Sequence, residues 1–304
     1  MNNAMIFALS GVIFYTAVIF VDKYLLEKRL PDSRGIVIFT AIVSLVIGSI
    51  VWFAIGTPLL PFQTSVLLLF SGLMVIGSTA LYFHVLAEDN ASFVQIFFQL
   101  IPIFVIAGAF LLGERMTLLQ IIGSSVVIIG TIALAKADGN SMSSNRKNIS
   151  RSVAYMILYD IMWAVSALCI KSASSDISFP QLISYESFGI GLGGLLLVLF
   201  SKPIFKSFRD LSRNISLSTL IIICLNEGVL FLVGKSLLNY AYTLGSASLV
   251  SVVESTQIVV VLIVGFALST IWPRIFKENT NRRILIRKLV YTFFVLLGIT
   301  VISA

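Results

Sequence analysis

The chain is predicted to be an all-α polytopic membrane protein, and three observations carry that prediction. Hydrophobic residues fill 58% of the 304 positions and charged residues only 12%, with a mean hydropathy of +1.02. The apolar residues are gathered into runs of about 20, the length an α-helix needs to cross the hydrocarbon core of a bilayer. Polar and charged residues are concentrated in short intervals between these runs. The runs mark ten spans, at residues 4–23, 35–55, 65–87, 91–112, 117–135, 152–171, 181–200, 217–242, 247–270 and 284–303. They leave no room for an extramembrane domain. The first run leads into Asp22, Lys23 and further charges rather than a small-residue cleavage site, so it reads as a retained helix and the mature chain is expected to start at or near Met1.

The second half of the chain repeats a pattern of the first. The stretch from Tyr82 to Leu134 joins two apolar runs through a polar turn, and a shift of 156 residues lays Ala91-Ser92-Phe93-Val94 on Ala247-Ser248-Leu249-Val250. The same register lays Ser92, Gln95 and Gln99 on Ser248, Ser251 and Ser255. Spacings of three and four gather each trio on one helix face. A polar face inside an apolar helix is tolerated where it meets protein or a water-filled cavity, so the duplicated stripe points to a pathway between two repeats. The expected division is a first repeat at 1–138, a basic linker at 139–151 and a second repeat at 152–304.

Charge is distributed as a membrane topology demands. Of the 21 Lys and Arg residues, 18 lie after spans one, five, seven and nine, among them Lys28, Arg29, Arg146, Lys147, Lys206, Arg209, Arg282 and Arg283. The exceptions are Arg115, Lys171 and Lys235. The positive-inside rule makes those intervals cytoplasmic and places both termini outside. The formal charge of +7 therefore reports orientation rather than nucleic-acid binding, since no aromatic-basic surface or soluble module accompanies it. Cys169 and Cys224 lie in apolar context and read as ordinary apolar side chains. With one histidine, His84, and no CxxC, HExxH or P-loop, neither a cofactor nor a metal is expected, and an enzyme of the common types is unlikely on this reading.

Intramembrane carboxylates are the candidate chemistry. Asp160, Glu186, Glu227 and Glu254 lie in spans six to nine, whereas the spans of the first half hold none away from their ends. An ionised acid at the bilayer centre costs about 2.5–3.5 kcal/mol on insertion scales, so four in one half call for a function or a partner. The repeat register lays Glu227 on Ser71, on one face with Ser78 and Tyr82, and Glu254 on Phe98 beside Gln99. Glu227 and Glu254 are thus the leading pair for contacting a cation or exchanging a proton, with Asp160 next. Each also has a structural reading as a bond to a neighbouring helix, and Lys235 is placed to neutralise either glutamate. Tyr15, Tyr82, Trp163 and Tyr185 offer faces to a cationic amine, although aromatics near helix ends usually anchor the interface; Trp163 stands out because it is three residues from Asp160. Gly189, Gly193 and Gly194 read as packing positions. Pro102 removes a backbone bond inside span four, as a hinge or a static kink.

Ala87-x3-Ala91-Ser92, Pro102, the turn Gly113-Glu114-Arg115-Met116-Thr117 and the helix from Gly123 to Gly130 carry a resemblance. The chain resembles the EamA type of the drug/metabolite transporter superfamily over essentially its whole length. The resemblance implies ten transmembrane helices built as two inverted five-helix repeats. Lys23 and Lys171 resemble a repeated feature of the family, whereas Ile258 and Ser269-Thr270-Ile271-Trp272-Pro273-Arg274 depart from the pattern in the second half. Members are generally drawn with cytoplasmic termini, opposite to the charge count; orientation follows the charges here.

The expected function is secondary transport of a small polar metabolite across the cell membrane, inner or plasma, by alternating access. A cationic or zwitterionic substrate is preferred, such as an amine, an amino acid or a lipophilic cation, with proton coupling at a carboxylate. Lys235 keeps an anionic or sugar-type substrate open, and a lipid-linked sugar flippase component is a further alternative. A scaffold or enzyme would be favoured if no water-accessible cavity reached Glu227 and Glu254. The expected site comprises Glu227, Glu254, Asp160, Gln95, Gln99, Ser251, Ser255, Trp163, Tyr82 and Lys235. The expected partners are the substrate and the bilayer, without nucleic acid, in a monomer or homodimer.

Overall fold

The structure, a computed structural model, describes residues 3–30, 32, 34–56, 58–86, 97–138, 149–173, 177–271 and 282–303. Every regular element among them is helical. In order they are α1 (Asn3–Lys28), α2 (Ile36–Ile55), α3 (Phe62–Leu86), α4 (Ile101–Leu111), α5 (Leu118–Asp138), α6 (Ile149–Ala173), α7 (Phe179–Phe200), α8 (Lys202–Asn214), α9 (Leu217–Cys224), a π-helical turn (Leu225–Phe231), α10 (Leu232–Leu244), α11 (Ala247–Ser255), α12 (Gln257–Ile271) and α13 (Arg282–Ser303). Among the described residues seven stretches are long and apolar enough to cross a membrane, and Ile101–Leu111, Leu118–Ala133 and Leu289–Val301 are shorter apolar helices. Large apolar side chains such as Phe53, Leu111 and Phe200 are exposed while Ser44, Ser71, Ser78 and Asp160 are buried. That polarity, apolar outside and polar within, suits lipid as the surrounding solvent.

Helix neighbours come in reciprocal pairs between the halves. α3 packs along α6 as α10 packs along α1, and α4 meets α6 as α11 and α12 meet α1. α3 lies on α7 as the π-helical turn lies on α2, while α2 pairs with α7 and α5 with α13. Close approach of α3 and α7 depends on glycine: a Cβ on Gly72 would sit 2.2 Å from the Glu186 carbonyl oxygen, and one on Gly189 2.2 Å from that of Leu69. This contact sets Ser71 beside Glu186. Gly193 and Gly194 press on Ile76 and Ala41 in the same way, a packing role throughout.

Two helix interruptions occur in the same register. The Leu100 N–H donates to the Phe97 carbonyl and the Leu100 carbonyl accepts from Ile103, at 2.7 and 3.0 Å. Thr256 does the same with Val253 and Val259, at 3.0 and 2.9 Å, 156 residues on. The three-residue bonds tighten each helix midway. Pro102 does not cause its break: it lies in the first turn of α4, where a missing N–H is harmless, and Ile258 stands at the matching place. Span eight differs from the continuous helix that hydropathy suggests, because residues 225–231 widen into a π-turn that carries Asn226 and Glu227. The interval after span seven folds as α8, with Lys202, Lys206, Arg209 and Arg213 on one short helix and the Phe208 ring set on Phe39 at 5.2 Å.

Candidate functional site

Where the two interruptions and the π-turn face one another, α1, α3, α4, α6, the π-turn, α11 and α12 enclose a cavity of about 80 Å³. That is room for roughly two or three waters at about 30 Å³ each. Asp22, Glu227 and Glu254 line it with Tyr15, Tyr82, Phe98, Tyr159, Trp163 and Phe231, and Gln99, Ser251, Ser255 and Gln257 stand near the helix breaks.

Asp22 and Glu227 form the first acidic station. Both are 2% exposed. The Asn226 side-chain amide donates to Asp22 Oδ1 at 2.9 Å and to Glu227 Oε1 at 3.3 Å. Tyr82 donates to Asp22 Oδ2 at 3.2 Å and Thr40 to Glu227 Oε2 at 2.7 Å. No Lys or Arg comes within 4 Å of either acid among the described residues. The π-turn suits this arrangement, because widening the helix brings the neighbouring Asn226 and Glu227 side chains into one network.

Glu254 forms the second station. The Trp163 indole N–H donates to its Oε1 at 2.9 Å and the Tyr242 hydroxyl to its Oε2 at 2.8 Å. Trp163 stacks on Tyr159 at 5.9 Å and 15°, Tyr159 on Phe98 at 5.0 Å, and Phe98 meets Tyr82 at 6.0 Å. One aromatic row thus runs from the residue that holds Glu254 to the residue that holds Asp22.

Glu186 and Lys235 make a separate structural pair. The Lys235 ammonium lies 3.7 Å from Glu186 Oε1, donates to the Ser166 hydroxyl at 3.3 Å and sits 4.5 Å over the Trp163 ring. Ser71 donates to Glu186 Oε1 at 2.9 Å and Asn239 to its Oε2. Lys235 is 2% exposed and is not among the residues lining the cavity.

Of the residues singled out by sequence, Glu227, Glu254, Gln99, Ser251, Ser255, Trp163 and Tyr82 meet around this cavity. Asp160 does not line it; it is fully buried and neither carboxylate oxygen has a hydrogen-bond partner among the described residues. Trp163 turns to Glu254, not to its helix neighbour Asp160, and Lys235 pairs with Glu186, while its charge also acts on Glu254 from behind the Trp163 ring. Gln95 lies outside the described residues, as does Ser92. The Ser251 and Ser255 hydroxyls donate to carbonyls of their own helix, at 2.9 and 2.7 Å. Tyr185 accepts from the Leu60 N–H, an anchoring bond, and the His84 ring sets its edge to Tyr155 at 5.2 Å. Asp22 and Gln257 are additions that sequence reasoning missed. Hydropathy ends span one at Asp22 and Lys23, yet α1 continues to Lys28, and the added helix carries the acid inside.

Away from the cavity, the Gly113-Glu114 turn links the halves. Gly113 ends α4 with a left-handed φ of 86°, and its N–H and that of Glu114 close on the Phe110 and Ala109 carbonyls. The Glu114 carboxylate then accepts from the Ala247 and Ser248 N–H groups at 3.0 and 3.1 Å and from the Ser246 hydroxyl, capping α11. Lys171 donates to the adjoining Gly245 carbonyl. Burial pushes the Glu114 carboxyl up, but the donors from Ser246, Ser248 and Ala247 outweigh it and hold the group below the usual carboxylate range. The stabilisation is therefore complete above the ordinary glutamate value of about 4.3 and is lost as pH falls through the lower folded-state value. Glu114→Gln is expected to cost about 1 kcal/mol at neutral pH, discounted for partial exposure, and the deficit should vanish in acid. Thermal unfolding of both proteins from pH 7 to 3 reads it; a deficit independent of pH contradicts the assignment.

Residues 2–135 match the model of the EamA-like transporter family. No curated protein matches the chain. Among solved structures, one described only as "Crystal structure of protein" superposes with a TM-score of 0.72 at 14% identity, covering 99% of this chain and 95% of that one. At that identity the likeness speaks to the fold alone.

Proposed function

We propose that the protein, whose residues 2–135 match the model of the EamA-like transporter family, is a secondary transporter of a small cationic metabolite, working by alternating access with proton exchange at a cavity carboxylate. The observation that carries the substrate charge is the cavity wall, where Asp22, Glu227 and Glu254 face aromatic rings and no Lys, Arg or His stands among the described lining residues. Carboxylates supply charge pairing and ring faces supply cation–π attraction, the combination that selects an organic ammonium. Lys235, the buried base near it among the described residues, is engaged by Glu186, which weakens the case for an anionic or sugar-phosphate substrate.

The matched helix interruptions and the reciprocal helix pairings support a ten-span architecture of two inverted repeats, 1–138 and 152–304, joined by the linker 139–151. The cavity then lies at their interface, where broken helices place polar groups in such transporters. The cell membrane is the proposed location. Purified protein in proteoliposomes tests the reading: a labelled primary amine should accumulate against its gradient when a pH gradient is imposed and should leak back on adding a protonophore. Accumulation that ignores the pH gradient removes the proton; transport of a sugar phosphate in place of the amine removes the cation.

A further inference from the structure

We propose that the cavity is built for an organic dication, a linear diamine protonated at both ends, with one ammonium at Glu254 and the other at the Asp22–Glu227 station. The proposal rests on the cationic-transporter reading above and adds the number and spacing of the charges.

Three observations lead to it. The first is charge count: among the described lining residues there are three carboxylates and no base. In a low-dielectric interior an uncompensated carboxylate is costly, and one ammonium would leave two acids unmatched. The acids are, moreover, held by separate sets of donors. Glu254 on α11 takes Trp163 and Tyr242, whereas Asp22 on α1 and Glu227 on the π-turn share Asn226.

The second observation is the aromatic row between the stations. It begins at Trp163, bonded to Glu254, and ends at Tyr82, bonded to Asp22, with Tyr159 between them at 5.9 and 6.4 Å. The ring faces are taken by one another and, at Trp163, by Lys235, so a polymethylene chain would pack along the apolar edges of the row, with its two ammonium groups meeting the acids at either end. The small volume favours a slim unbranched molecule.

The third is an unmet bond. The Tyr15 hydroxyl is buried on this wall without a partner among the described residues, while its ring rests edge-on to Trp163 at 5.8 Å. Buried hydroxyls are rarely left so, and an ammonium N–H at the Glu254 end would satisfy it.

Thermal stabilisation of the purified full-length protein tests the proposal, because a ligand bound only by the folded state raises the midpoint. The probes are α,ω-diaminoalkanes of about four to ten carbons, the 1-aminoalkane of equal carbon count, and the corresponding diol, all at constant ionic strength; the lengths cover one to two ring-to-ring steps of the row. The diamine is expected to half-saturate at a concentration about tenfold or more below that of the monoamine, with no effect from the diol. Glu254→Gln and Asp22→Asn should each bring the ratio close to one. Equal stabilisation by diamine and monoamine in the unmutated protein overturns the dication and leaves the cationic transporter standing. Stabilisation by neither overturns both. A diamine preference that survives in both variants places the second ammonium elsewhere and also overturns the proposal; the unmutated ratio decides even if a variant fails to fold.

Discussion

Proteoliposomes carrying Glu254→Gln are expected to lose proton-driven accumulation of a cationic amine by roughly 30- to 150-fold, the equivalent of about 2–3 kcal/mol for a charged hydrogen-bond partner. Gln preserves the shape of the side chain, and its amide oxygen still accepts from the Trp163 indole. Tyr242 must then accept instead of donate, a reorientation its hydroxyl allows. What disappears is the charge and the capacity to exchange a proton. Protein yield and melting temperature should therefore change little while accumulation collapses. Glu227→Gln is the companion measurement, since Thr40 and Asn226 currently donate to that carboxylate. Unchanged proton-driven uptake in both variants excludes these residues from the mechanism and turns attention to Asp160.

Lys235→Met is expected to destabilise the protein by about 3–5 kcal/mol, the cost of removing one partner from a buried ion pair. The ammonium is the only cation within 4 Å of Glu186 among the described residues, and it also rests on the Trp163 ring. Ser71 and Asn239 would still donate to Glu186, but neither supplies a charge. The double variant Lys235→Met, Glu186→Gln should recover most of the loss, because the second change removes the stranded carboxylate. Thermal unfolding of the four proteins in one detergent forms the cycle. If the single Lys235 variant is as stable as the parent, the pair does not hold the structure together.

These two residues also show where sequence reading stops. The helices are legible because a bilayer enforces apolar runs of a set length, and the polar stripe is legible because helical spacing turns Gln99, Ser251 and Ser255 toward one face. Partners across helices leave no such periodic trace. Sequence alone therefore leaves Lys235 equally able to serve Glu227 or Glu254, and only the glycine-mediated approach of α3 and α7 shows Glu186, flanked by Ser71, as its ion-pair partner. Asp22 was hidden for a different reason: a hydropathy run ends at its first charge, whereas the helix itself continues to Lys28. The interruption at Thr256 has no local signal at all, since neither proline nor glycine marks it; it is found by laying it against Leu100.

The carboxylate of Glu114 leaves one half of the chain to terminate a helix of the other, and this fixes what can travel together. Rocking the two sequence halves apart as blocks would strip three donors from one acid and bare the first turn of α11. A motion that carries the α4–α5 turn along with α11 keeps them. In the alternating access proposed above, the mechanical boundary would then run through the first half of the chain instead of between the halves, and each moving piece would hold residues from both.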